Sequence, residues 1–308
     1  MIYHKPVLLK ESMELLNIKR GGLYADATLG GGGHTASILA EPKVEHVYGF
    51  DQDSEALAFS EERLRKYEDR VTLIKANFEE MRSKLALLKV KNLDGVIFDL
   101  GVSSRQIDSA ERGFSFEENA ELDMRMDRQT ELKAKDVINQ KSKEELAKIF
   151  RELGEEKAAY RIAQAIETAR NKKPIETTKE LSDIIEKQMR ANPLLVTKTK
   201  ARIFQALRIY VNRELEVLDN ALEDAINLLN SGGRLVVISY HSLEDRIVKN
   251  RINYSAKGCL CPPVILKCVC GHHPKVKILT PKHIQPTEEE IQGNKRSRSA
   301  KLRAVEKI

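Results

Sequence analysis

The sequence predicts an α/β protein with a Rossmann-like, doubly wound, mostly parallel sheet and an inserted all-helical domain. Three observations predict it. A strand-forming run ending at Asp26 passes through four consecutive glycines, Gly30 to Gly33, into a helix-forming run that opens at His34. Strand and helix signals then alternate as far as Asp99, as in repeated βα units. Beyond Asp99 an irregular stretch and then helix signals follow without an intervening strand, until a fifth strand-like run at 234–239.

Taken in order, residues 1–19 hold an amphipathic stretch, 11–16, that leads into the sheet and ends at the turn Arg20-Gly21-Gly22. Strand one is 23–26. Residues 44–50 form a buried strand ending in Asp51, and Asp53 is the expected N-cap of a helix over 55–67, because its carboxylate can accept from the first free N–H groups. A third strand, 71–76, ends at Asn77 and Phe78; a helix over 79–88 and a strand over 94–100, ending around Asp99, complete the series. Residues 101–127 read as irregular. Helices are expected over 130–138, 143–153, 155–170, 178–189 and 198–229, with breaks at Lys173-Pro174 and Asn192-Pro193. The part from about 213 returns to the sheet. The domains are therefore expected at 1–104, 105–212 and 213–308, the first and third forming one fold.

Helix caps and tails come last. Ser242 is the expected cap of a helix after the final strand, with Asp245 answering it, which leaves His241 without a capping role at the strand end. The segment 294–305, with Lys295, Arg296, Arg298, Lys301 and Arg303, reads as a basic stretch leading into an edge strand.

In open α/β sheets ligands sit beyond the carboxyl ends of the strands. Asp26, Asp51, Asn77, Phe78 and Asp99 all fall there. The glycine corner fits two ligand classes. Gly31, Gly33 and Ala36 satisfy the dinucleotide pattern G-x-G-x-x-G/A, and Asp26, Gly30, Gly32 and Gly33 satisfy the S-adenosylmethionine pattern D-x-x-x-G-x-G-G. Asp51 lies where nucleoside-binding folds place a carboxylate on the ribose hydroxyls. A nicotinamide-dependent oxidoreductase is thus the competing enzyme, although it leaves Asp26 and Asp99 unexplained. A ribosome-assembly factor that binds RNA without catalysis is the competing non-enzyme.

The chain has 308 residues, 41% apolar, with a net charge of +6. The excess of Lys and Arg suits a polyanionic partner. The absence of Trp and 5% aromatic content argue against binding single strands mainly by base stacking. No apolar run approaches 18 residues and no leader precedes the fold, so a cytoplasmic protein with no membrane partner is expected. Cys259, Cys261, Cys268 and Cys270 form a C-x-C-x6-C-x-C cluster. It is open to a structural zinc, two disulfides or free thiols.

These residues resemble the bacterial small-subunit rRNA cytosine-N4 methyltransferases over nearly the whole chain. The resemblance rests on Tyr3-His4-Lys5-Pro6-Val7-Leu8-Leu9, the corner from Asp26 to His34, Asp99-Leu100-Gly101-Val102-Ser103-Ser104 with Gln106, Glu111 to Phe116, Leu122 to Asp127, Phe204 to Ile209, and His241-Ser242-Leu243-Glu244-Asp245-Arg246. It implies a class I methyltransferase fold with an inserted helical domain. It also implies S-adenosylmethionine as cofactor and 16S rRNA, or the small ribosomal subunit, as partner. The implied target is the exocyclic N4 of a decoding-region cytidine. Gly32, Gly33, His34, Asp51, Phe78, Asp99 and Gln106 are then the implied cofactor contacts. Asp26 joins them from the corner pattern, and Asp99 and His241 are the candidates to face N4. Residues 112–127 could wall the base or form a lid, with Asp123 expected to pair with Arg125 or Arg128. The cysteines have no role that the resemblance supplies, and the oligomeric state stays open.

Overall fold

A run as apolar as Leu93–Asp99 suits a strand covered on both faces, and it becomes β4, the central strand of a seven-stranded sheet. The computed structural model describes residues 6–189, 192–262 and 267–308; Tyr3, His4 and Lys5 lie outside them. The other strands are β1 Gly22–Asp26, β2 Val44–Asp51, β3 Val71–Lys75, β5 Leu229–Ser239, β6 Val276–Ile278 and β7 Lys301–Lys307. Their order is β3-β2-β1-β4-β5-β7-β6. All pairs from β3 to β5 are parallel, and β7 runs antiparallel to both β5 and β6. This is the class I methyltransferase arrangement.

Thirteen α-helices accompany these strands among the described residues: α1 Leu9–Leu16, α2 Gly33–Leu39, α3 Ser54–Leu64, α4 Met81–Leu87, α5 Ser104–Asp108, α6 Ala134–Gln140, α7 Lys143–Glu152, α8 Ala159–Arg170, α9 Thr178–Met189, α10 Pro193–Asn212, α11 Glu214–Leu228, α12 Ser242–Ala256 and α13 Glu288–Gly293. One compact unit comprises the described residues up to Gly101 together with Leu215–Ile308; Val102–Glu214 form the other. In the first, one face of the sheet buries Phe50, Phe98 and Val237 under α4, α11 and α12. The opposite face buries Tyr24, Val47 and Ile97 under α1, α2 and α3. Each such side chain contributes roughly 1.5–3 kcal/mol by leaving water. No described helix is long and apolar enough to cross a membrane.

The helical unit has its own core, with Phe150, Ile162, Ile185, Ile203 and Leu207 inside it. The stretch expected to be irregular contains α5, whose N-cap is Ser103. Gln106 closes a reciprocal capping box there, its Oε1 accepting from the Ser103 N–H at 3.0 Å. Within 112–127 the two ends are packed, with Arg112, Gly113, Leu122, Asp123, Met124 and Met126 buried, while Glu117, Glu118, Asn119 and Glu121 are exposed. Arg112, 2% exposed, donates to the carbonyls of Arg125 and Met126, and Asp123 takes two bonds from the Arg125 guanidinium at 2.7 and 2.8 Å.

Several details differ from expectation: α6, α8 and α10 start at 134, 159 and 193 rather than 130, 155 and 198. The long helical run stops at Arg213, which adopts φ 52° and separates α10 from α11 without any glycine or proline. β5 begins at Leu229 rather than 234, because Leu229 pairs with Leu93 and the strand continues through Gly232 and Gly233. A Cβ on Gly233 would stand 2.9 Å from the Asn230 carbonyl, so only glycine lets the strand pass. β7 is not an edge strand, since the short β6 covers its outer side.

Candidate active site

Five parallel strands, β1 to β5, deliver their carboxyl ends to one edge of the first unit, and the acids found there have distinct surroundings. Asp26, at the end of β1, is 1% exposed and turned inward. Its oxygens accept from the Thr28 N–H at 3.2 Å and the Thr35 hydroxyl at 2.7 Å. Burial pushes its carboxyl above the usual range, against the pull of His34 and Thr35. Asp26 therefore ties the start of the corner to α2.

The corner itself needs its glycines. Gly30 and Gly32 have φ of 50° and 67°, where a Cβ is strained. Gly33 has no room for one: a Cβ would meet Pro6 Cγ at 2.3 Å. Pro6 and Val7 thus pack directly on the corner, and the Val7 carbonyl lies 3.2 Å from His34 Nε2. A carbonyl can only accept, so Nε2 carries a proton towards it. His34 Nδ1 stands 3.7 Å from Asp99 Oδ2, and the imidazolium is the form that complements that carboxylate.

Asp51, at the end of β2, accepts from the Gly30 N–H through Oδ2 and from the Asp53 N–H through Oδ1, both at 2.8 Å. Burial nonetheless pushes its carboxyl up to about 6. Asp53 caps α3 as expected, accepting from the Glu55 N–H. Phe78 follows the cap residue Asn77, whose amide donates to Gln52, and sets its ring edge-on to Phe98 at 5.8 Å. An apolar wall therefore stands beside the acids of β2 and β4.

Asp99 is the most elaborately held of the three. Its own N–H donates to the Thr28 hydroxyl at 2.6 Å, and its Oδ1 accepts from the Tyr240 hydroxyl at 2.7 Å. Burial, and then the Asp99 charge, push the Tyr240 hydroxyl well above the usual phenol range. Tyr240 therefore stays protonated and donating. Sequence reasoning had not singled out Tyr240. The available signal was its place one residue past the end of β5, since Ile238 pairs with Asp99 across the parallel strands.

His241 does have a capping role, contrary to expectation. It, and not Ser242, is the N-cap of α12: its Nδ1 faces the Glu244 N–H at 3.4 Å, while Glu244 Oε2 accepts from the N–H groups of Tyr240 and His241. His241 Nε2 lies 3.1 Å from Glu244 Oε1. Asp245 instead holds Arg303 at 2.7 Å and Lys301 at 3.6 Å, which removes two of the five basic tail residues from solvent duty. Replacing His241 with alanine is expected to cost about 1 kcal/mol through the lost cap. Asparagine, a good cap, should restore most of it in urea unfolding.

The first unit thus brings Asp26, Gly32, Gly33, His34, Asp51, Phe78 and Asp99 to one edge, with Thr28, Thr35 and Tyr240 supporting them. His241 follows on the same side with its imidazole engaged by Glu244. Gln106 belongs to the helical unit and completes the α5 cap there.

The profile of the MraW methylase family matches residues 1–308. Ribosomal RNA small subunit methyltransferase H of Finegoldia magna is 46% identical over 99% of this chain and 98% of its own length. The proteins of that name from Clostridioides difficile and Carboxydothermus hydrogenoformans are 48% and 47% identical, over 99% of this chain and 99% and 98% of theirs. Among solved structures, an rRNA methylase from Streptococcus thermophilus aligns with a TM-score of 0.44 at 13% identity, covering 97% of this chain and 95% of that one.

Proposed function

Because the chain belongs to the MraW methylase family, we propose that it transfers a methyl group from S-adenosylmethionine to the exocyclic N4 of a cytidine in the decoding region of 16S rRNA. The observation that carries this reading is the Asp99 carboxylate, held at the end of the central strand by Tyr240 and beside the glycine corner that Asp51 closes.

The corner fits such a cofactor. Its glycines leave bare main chain at positive φ; Asp51 would accept the ribose hydroxyls and the Phe78 ring would face the adenine. When bound, the cofactor supplies an electrophilic methyl on a sulfonium. The protein must align the acceptor and exclude water, and alignment of this kind can supply several kcal/mol.

Cytosine N4 is a poor nucleophile because its lone pair is shared with the ring. A carboxylate that accepts from the N4 hydrogens localises that pair and takes up the proton released after transfer. Asp99 has the right character: Tyr240 holds one oxygen and the second faces His34, so its orientation is set before substrate arrives. The base must leave any helical stack to reach this edge. Acting on small ribosomal subunits, the enzyme would work in the cytoplasm.

Lys295, Arg296 and Arg298 are exposed around a short 3-10 turn and are the tail's candidates for phosphate contact. Neutralising Arg296 and Arg298 together should flatten the salt dependence of RNA binding by about 1.4–1.8 in log–log slope. An unchanged slope, read by filter binding across salt concentrations, removes the tail from the RNA interface.

The reading is tested by incubating the protein with labelled S-adenosylmethionine and unmodified small subunits, then digesting the rRNA and identifying the product nucleoside. N4-methylcytidine is expected. A methyl on another base or atom, or no incorporation, overturns the assignment.

A further inference from the structure

Among the described residues, the excursion between α12 and β6 is held chiefly at its base. Its base is clamped: the Lys275 N–H donates to the Ser255 carbonyl at 2.7 Å, and the Ile308 N–H to the Lys275 carbonyl at 3.1 Å. Between these clamps no helix or strand forms among the described residues. Leu260 and Val269 point outward, Val269 being 77% exposed, so the described residues of the excursion build no core of their own. Yet the four cysteines, scattered over C-x-C-x6-C-x-C, converge, with all four sulfurs within 4.8 Å of one another.

We propose that Cys259, Cys261, Cys268 and Cys270 form a tetrathiolate site for a single zinc ion. In a tetrahedral site with Zn–S of about 2.3 Å, neighbouring sulfurs lie about 3.8 Å apart. The separations here are 3.5 Å for Cys259–Cys268, 3.7 Å for Cys259–Cys270 and 3.5 Å for Cys268–Cys270. One intervening residue is therefore enough to place both sulfurs of the Cys268–Cys270 pair along one edge of a tetrahedron.

The backbone is already arranged for thiolates. Leu260 N–H donates to Cys270 Sγ at 3.3 Å, Cys261 N–H to Cys259 Sγ at 3.3 Å, and Val269 N–H to Cys261 Sγ at 3.4 Å. Each such bond stabilises negative charge on sulfur, the form that binds metal. Of the two neighbouring histidines, His272 turns away, its Nε2 lying 3.1 Å from the Tyr254 carbonyl and its ring 5.0 Å from the Tyr254 ring. The donor set is thus four sulfurs, which favours zinc over harder cations.

The role of the ion is structural. α12 starts beside the strand-end site and runs back for 15 residues, about 22 Å at the rise of an α-helix, before the excursion begins. The zinc would cross-link a segment whose far end becomes β6, and so keep the outer side of β7 covered.

The test uses untagged, full-length protein purified under reducing conditions without added metal. Elemental analysis should find one zinc per chain, with the four thiols unreactive until a strong chelator is present. Cobalt exchanged into the site should show the ligand-field absorption of tetrahedral sulfur coordination. The Cys268→Ser/Cys270→Ser variant should lose the metal and be cut within 257–275 at least tenfold faster by protease, while the rest of the chain still unfolds cooperatively. Four thiols freely reactive in protein with less than a few tenths of an equivalent of zinc would overturn the proposal. So would two disulfides by mass, bound iron in place of zinc, or a full equivalent of zinc retained by the double variant.

Discussion

Replacing Asp99 by asparagine is expected to lower the methyl-transfer rate by about 10²–10⁴-fold, the range lost when a positioned acid or base is removed. The substitution keeps the side chain's shape and an oxygen that can still accept from Tyr240, so the fold around the end of β4 should survive. What disappears is the charge, and with it both the pull on the N4 hydrogens and a place for the released proton. Single-turnover rates and donor affinity must be measured together. The proposal expects the rate to collapse while the dissociation constant of S-adenosylmethionine moves less than a few-fold. A large loss of donor affinity at an unchanged rate constant for transfer would reassign Asp99 to the cofactor. Tyr240→Phe provides the companion measurement. It removes the donor that fixes Asp99 without touching the carboxylate, and a smaller fall in rate is expected.

Asp51→Ala should weaken donor binding by about 1.5–3 kcal/mol, or roughly 10- to 150-fold, which is the scale of hydrogen bonds to a charged group. The same carboxylate gives a pH signature. Its folded-state value is raised from 3.8 to about 6, chiefly by burial. A raised carboxyl favours the folded state while protonated; that contribution is complete below 3.8 and is lost as pH rises through 6. Donor binding runs the other way, because the ionised group is the better acceptor of ribose hydroxyls. Affinity should therefore increase between pH 5 and 7 in the parent protein and stay flat in Asp51→Asn. Calorimetry at several pH values decides it, and a parent profile as flat as the variant's would remove Asp51 from the ribose site.

Much of the sheet was legible because strands ending in acids or amides, each followed by a helix cap, repeat at the length of a βα unit. Asp53 and Asn192 could be read as punctuation from their residue types alone, and both cap the helices that follow them. Other features depend on partners distant in sequence. Tyr240 matters through a bond to Asp99 on the neighbouring strand, and only its place just past the end of β5 hinted at it in sequence. His241 was misread because a histidine is an unusual cap, and the competing Ser242 with Asp245 is the standard pattern shifted by one residue. The division near 213 was read from the return of the chain to the sheet, but the left-handed turn at Arg213 that makes it carries no glycine or proline to announce it. β7 was taken for an edge because β6 is only three residues long and too short to announce itself.

The position of β7 between β5 and β6 also constrains how the molecule comes into being. Synthesis proceeds from the amino end, so β5 is exposed before its neighbour exists, and its hydrogen-bonding flank stays open until Lys301–Lys307 have been made. The helical unit is continuous in sequence and can close early, but the sheet unit is interrupted by it and must wait for its last strand. Closing β7 into the sheet therefore joins contacts far apart along the chain, a slow step by topology. Until it is complete, β5 is the surface most exposed to pairing with a neighbouring nascent chain.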